Sequence, residues 1–107
     1  MTKKEREVEK KILKFQKQPH AQAFHSGKFL KPTPQEIREL RNFFNVTQVG
    51  MAKIVGAAWD TKQGSPTVGS WEAKVGTAKH RSIPYSAWRL LLIHVGVVGF
   101  EEGEELS

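Results

Sequence analysis

The chain of 107 residues contains no cysteine, so it forms no disulfide and no thiolate metal site, which fits a reducing compartment. Apolar residues make up only 38% of it, enough for one small core. Its longest uninterrupted apolar run, Leu90 to Ile93, is far too short to cross a bilayer, and no signal-peptide pattern opens it. A soluble, cytoplasmic protein with no membrane partner is expected. Gly50, Gly56, Gly64, Gly69 and Gly76 lack the spacing and strand context of a phosphate-binding loop. Spacing suggests no Ser/His/Asp set and no carboxylate pair, so catalysis is not expected and no cofactor is implied. His20 and His25, five apart, do not share a helical face, and no carboxylate or cysteine completes a ligand set; no metal site is expected.

What the chain does have is positive charge. The net charge is +6, distributed as +6 over residues 1–31, +4 over residues 32–100 and −4 over residues 101–107. A basic body with a pI near 9.8 favours a polyanionic partner. The pattern divides the chain into a basic helix and connector (1–31), a compact domain (32–100) and an acidic tail (101–107), expected to be disordered.

Residues 3–17 are rich in Lys and Glu, with Val8, Ile12 and Phe15 spaced for one helical face. Two readings stand: a solvated or frayed arm, or a basic helix that docks on the core or lies along DNA phosphates. Thr33-Pro34-Gln35-Glu36 combines an N-cap, a proline at the first helical position and a capping-box glutamate. The helix that follows should run from about Pro34 to Phe44, burying Ile37, Leu40 and Phe44, with Asn45 as a left-handed stop. Phe43, beside that stripe, should face the N-terminal arm or a second subunit. A later helix from Pro84 to about Val95 carries the stripe Ala87, Trp88, Leu91, Leu92 and Val95. Leu90 and Ile93 leave it little polar surface, so burial on a second side is expected, with Val97, Val98 and Phe100 continuing that surface.

Between them lies the stretch around which the chain is organised. Thr47 can cap a short helix with Met51 and Val55 on one face, Ala52 permitting close crossing and Gly56 ending it. Ser65-Pro66 then opens a second helix in which Val68, Trp71 and Val75 recur at helical spacing. Two short helices joined across glycine, the second with a polar outer face, make a helix-turn-helix. The expected fold is all-α: a compact helix-turn-helix domain of four to five helices with an extra N-terminal basic helix.

The pattern Val46-Thr47-Gln48, Met51-Ala52, Val55-Gly56 and Thr67-Val68-Gly69-Ser70-Trp71-Glu72 resembles the phage-repressor and Cro type of helix-turn-helix, also called XRE-like. Ile83 to Leu92 resembles the closing helix of small phage and plasmid regulators in that family. The resemblance covers roughly residues 33–96. One departure stands out: between Gly56 and Thr67 the chain carries about six more residues than the family's usual turn. The resemblance implies a Gln48 that contacts backbone and buttresses the recognition helix, and an Arg41–Glu72 ion pair with a structural role.

Base-reading candidates are Lys62, Gln63, Ser65, Thr67 and Ser70. Serine and threonine are permissive readers, since a hydroxyl both donates and accepts. Phosphate candidates are Thr47 and Gln48, at a helix N-terminus, with Lys74, Lys79, His80 and Arg81. Trp59, apolar within the insertion, is expected to fold back as a lid on the core. Leu90, Ile93 and His94 are dimer-interface candidates. The expected function is a sequence-specific regulator, a repressor that binds a short inverted repeat of double-stranded DNA as a homodimer. Two other classes remain open: an antitoxin that uses the same fold to grip both DNA and a protein toxin, and a protein-interaction domain that has lost DNA binding.

Overall fold

Three of the core helices are started by a side chain that satisfies a backbone N–H left open at the first turn. Thr33 accepts from the Glu36 amide at 3.1 Å while Glu36 reaches back to the Thr33 amide at 2.8 Å, completing the capping box. Thr47 accepts from Gly50, and Ser65 from Val68. In the computed structural model, which describes residues 2–99, these caps open α2 (Pro34–Phe43), α3 (Gln48–Val55) and α4 (Pro66–Glu72). A long α1 (Lys3–Gln16) precedes them and α5 (Tyr85–His94) follows. Two single 3-10 turns, Pro19–Ala21 and Phe24–Ser26, lie in the connector after α1. No strand occurs among the described residues; the only extended pairing there is one bridge between Asp60 and Gly64. The protein is all-α. Phe100 and the acidic tail at 101–107 lie outside the described residues.

α3 packs on both α4 and α5, and α2 on α4. Met51 and Ala52 are fully buried, so the methyl-sized Ala52 sits where α3 is crossed. Ile37, Leu40, Val68, Trp88, Leu91 and Leu92 complete the centre of the core, with Trp71 at its edge. α2 stops as expected: Phe44 caps it and Asn45 takes a φ of 57°, a conformation asparagine tolerates better than most residues.

The N-terminal segment is not an appendage. Phe15, at the end of α1, is buried and meets Phe43 edge-on at 5.8 Å and Phe44 at 6.0 Å. Phe43 therefore faces the arm. Lys11 lies over the Phe15 ring and pairs with Glu39 at 3.7 Å. The connector is locked in turn: Trp88 Nε1 donates to the His20 carbonyl at 2.9 Å and Arg89 to that of Ala21 at 2.8 Å. The earlier turns of α1 stand away from the core and leave Val8 exposed, and Leu13 is exposed on the outer side of the last turn.

Two expectations fail here. Val75 is not on α4, which ends at Glu72; Ala73 is extended and Val75 is exposed. The freed carbonyls at that end are taken by the returning loop, Arg81 N donating to Ser70 O and His80 Nδ1 to Ala73 O, so another helical turn has nothing to gain. Val97 does not extend an outer surface: it is buried, and Gln16 Nε2 donates to its carbonyl at 2.9 Å.

His20 is buried with its ring against Trp88, centroids 5.2 Å apart, and its Nδ1 has no hydrogen-bond partner among the described residues. Burial holds the imidazole below its ordinary value, against the opposing pull of the Glu36 and Glu39 carboxylates. The unfolded chain, titrating near 6.5, therefore binds the proton first, and folding stability falls as pH drops below that value. Chemical denaturation at pH 7 and pH 5 should show this loss. His20→Phe, which keeps a ring against Trp88 but carries no proton, should flatten the dependence.

Candidate nucleic-acid interface

α4 has two faces. Val68, Trp71 and Glu72 are buried, whereas Pro66 and Thr67 are exposed and Gly69 and Ser70 half-exposed. Pro66, Gly69 and Ser70 line a groove of about 450 Å³ whose fourth wall is Lys79, from the loop that returns to α5. Ser70 and Lys79, nine residues apart in the chain, thus share one concavity. Lys62 and Gln63 lie outside it, on the turn before α4. Lys74 and Arg81 are exposed in the loop after it.

The site rests on a polar network joining three helices. Arg41, on α2, donates from Nε and Nη2 to the two carboxylate oxygens of Glu72, both at 2.8 Å, in a bidentate pair. Its Nη1 reaches the Val46 carbonyl at 3.0 Å, and Gln48, opening α3, donates to Glu72 at 3.4 Å. The Glu72 carboxylate is 3% exposed and the Arg41 guanidinium side chain 12%. Arg38 adds a bond to the Glu72 carbonyl at 2.9 Å, a contact that the sequence pattern did not single out. Gln48 is therefore turned toward the network at the end of α4, and Thr47 toward its own helix as a cap.

Ser65, expected among the base readers, is not placed to read a base. It is 2% exposed, its hydroxyl donates to Ala58 O at 2.8 Å and accepts from Val68 N, and both capacities face inward. Ser70 keeps its exposure but its hydroxyl proton goes to Thr67 O at 2.6 Å. His80 uses Nδ1 on Ala73 O, which leaves Nε2 as the ring nitrogen for a ligand. Arg81 Nη1 donates to the carbonyls of Ala78 and His80, bracing the loop that carries it.

The insertion is a closed turn. Asp60 and Gly64 exchange backbone hydrogen bonds at 2.8 and 3.1 Å, and Asp60 Oδ1 accepts from the amides of Lys62 and Gln63. Asp60 is a structural residue that sequence reasoning did not single out, although aspartate, whose side chain accepts from the amide two residues on, and a glycine at positive φ are both turn formers. Trp59 is no lid: it is 42% exposed, and Lys53 Nζ stands 4.5 Å from its ring centroid. Ser65 already ties the loop to the start of α4.

Among the dimer candidates Leu90 is 43% exposed, Ile93 is partly buried and His94 is exposed. The chain matches no known family model, no curated protein and no solved structure.

Glu72→Ala should strand the Arg41 guanidinium in a mostly buried position. The cost of breaking one side of such a pair is about 3 kcal/mol. Thermal denaturation should show a lower Tm for this variant; an unchanged Tm would mean that the network carries no stability.

Proposed function

We propose that this chain is a DNA-binding transcriptional regulator of the phage-repressor type, acting as a homodimer on a short inverted repeat. The observation that carries the reading is the outward face of α4: an open groove, largely apolar along its walls and edged by Ser70 and Lys79, on a short helix whose other face is buried and whose end is clamped by Arg41 and Glu72. A helix held that way by a partner helix is what major-groove entry requires. The basic residues Lys74, Lys79 and Arg81, in the loop behind α4, are suited to backbone phosphate. Repression follows most simply from occlusion of a promoter. Nuclease protection of DNA flanking the protein's own gene tests the reading directly, and absence of any protected segment there or in a random-sequence pool counts against it.

Lys74, Lys79 and Arg81 should contribute affinity and little sequence information. Replacing any one with Ala should weaken specific and non-specific binding alike, and reduce the salt slope by about one unit. A titration of affinity against salt measures both.

Dimerisation is assigned to α5. Leu90 is exposed and Ile93 incompletely covered, while α1 docks by its last turn and leaves Leu90 open. Two-fold pairing there would bury them and set two copies of α4 on one side, reading half-sites about 34 Å apart. Leu90→Glu with Ile93→Glu should sediment as a monomer and bind DNA weakly. The exposed Val8 and Leu13 of α1 are the competing surface. Deleting the segment would also remove Phe15, His20 and Ala21 from the core, so Val8→Glu with Leu13→Glu is the proper control. It should leave the dimer intact.

A further inference from the structure

We propose that the groove of Pro66, Gly69, Ser70 and Lys79 receives the major-groove edge of an amino base, adenine or cytosine, with Ser70 Oγ as the hydrogen-bond acceptor. This rests on the DNA-binding reading and narrows it to one chemical class of base.

The first argument is the commitment of the Ser70 proton. A serine hydroxyl has one proton and two lone pairs. Here the proton is spent on Thr67 O at 2.6 Å, the back-bond to the preceding turn that helical serines make. What faces the groove is therefore oxygen lone-pair density. In the major groove adenine N6 and cytosine N4 are donors, whereas guanine O6 and thymine O4 are acceptors. An acceptor facing the first pair gains a hydrogen bond; facing the second it meets another acceptor. Turning the hydroxyl outward to serve a keto oxygen would give up the 2.6 Å bond. Thr67, exposed on the same helix, has no such internal commitment among the described residues and stays permissive.

The second argument is Gly69. It lies in mid-helix without a left-handed φ, and a Cβ built there meets nothing within 4 Å. Neither backbone conformation nor internal packing calls for glycine, and glycine in a helix costs about 1 kcal/mol relative to alanine. What its missing side chain leaves is room in front of Ser70 for a group from outside. Lys79, on the far wall, is long and exposed, and reaches the phosphate beside such a base.

Selection from a randomised duplex pool, with wild type and Ser70→Ala in parallel, tests this. Ser70→Ala replaces a half-exposed helical serine with a better helix former, so it should fold and melt at least as high as wild type. Wild type should enrich a motif with one position restricted to A or C on the contacted strand, and Ser70→Ala should lose the restriction there alone. Taking the amine out of the major groove at that position, by moving it with 2-aminopurine in place of adenine or deleting it with 2-pyrimidinone in place of cytosine, should weaken wild type about 5-fold and Ser70→Ala not at all. Gly69→Ala should raise Tm and weaken binding to the selected motif. The inference is overturned if the Ser70-dependent position is G or T, if no position depends on Ser70, or if Gly69→Ala binds as wild type does. A pool in which nothing enriches, with only salt-sensitive binding to all duplexes, sinks instead the reading on which it rests.

Discussion

Everything placed on the outer face of α4 depends on the bidentate pair between Arg41 and Glu72. α4 is only seven residues long, too short to hold its own direction by helical hydrogen bonds alone. Its last residue is seized from two sides, the carboxylate by Arg41 and Gln48, the carbonyl by Arg38. Those partners sit on α2 and at the start of α3, so one side chain records the relative position of three helices. The same guanidinium takes the Val46 carbonyl in the link between α2 and α3, fixing the entry to α3 as well. Burying such a pair is costly, and hydrophobic residues of similar volume could stabilise as much. Its value lies in direction: a bidentate fork tolerates one alignment, where apolar side chains tolerate several.

The other end of α4 is aligned differently. Ser65 links the helix start to Ala58 across the insertion, and Asp60 closes the turn between them by accepting two amides. An extra loop at this point would ordinarily decouple the helix from α3. This one is short-circuited instead, so that Lys62 and Gln63 are carried on a closed turn next to the helix start. Trp59 takes part from outside, as the platform under Lys53 on α3. The indole thus bridges the insertion to the helix before it without entering the core.

Helix identity was legible in the sequence because caps and prolines are local signals. Thr33-Pro34, Thr47 and Ser65-Pro66 each satisfy a first-turn amide within three residues, with no need of a distant partner. The stripe of α5 was legible for the same reason, its period being internal to the helix. What could not be read were contacts that join distant segments. Nothing near His20 announces that its carbonyl is the partner of the Trp88 indole, and a Lys/Glu-rich α1 gives little sign that Phe15 closes the core between Phe43 and Phe44. The end of α4 was misjudged because Val75 keeps the helical period, while the loop carrying His80 and Arg81 caps the helix earlier.

The candidate site shows a sharper version of the same limit. A serine in a sequence is both donor and acceptor, so Ser65 and Ser70 looked equivalent and equally undiscriminating. Their hydrogen bonds separate them. Ser65 has spent both capacities and is sealed from any ligand; Ser70 has spent one and faces outward with the other. A residue type that is a poor discriminator when free becomes selective once the fold has used its proton. The specificity available to a helix bearing only hydroxyls therefore depends less on which side chains it carries than on which of their donors its own backbone has already taken.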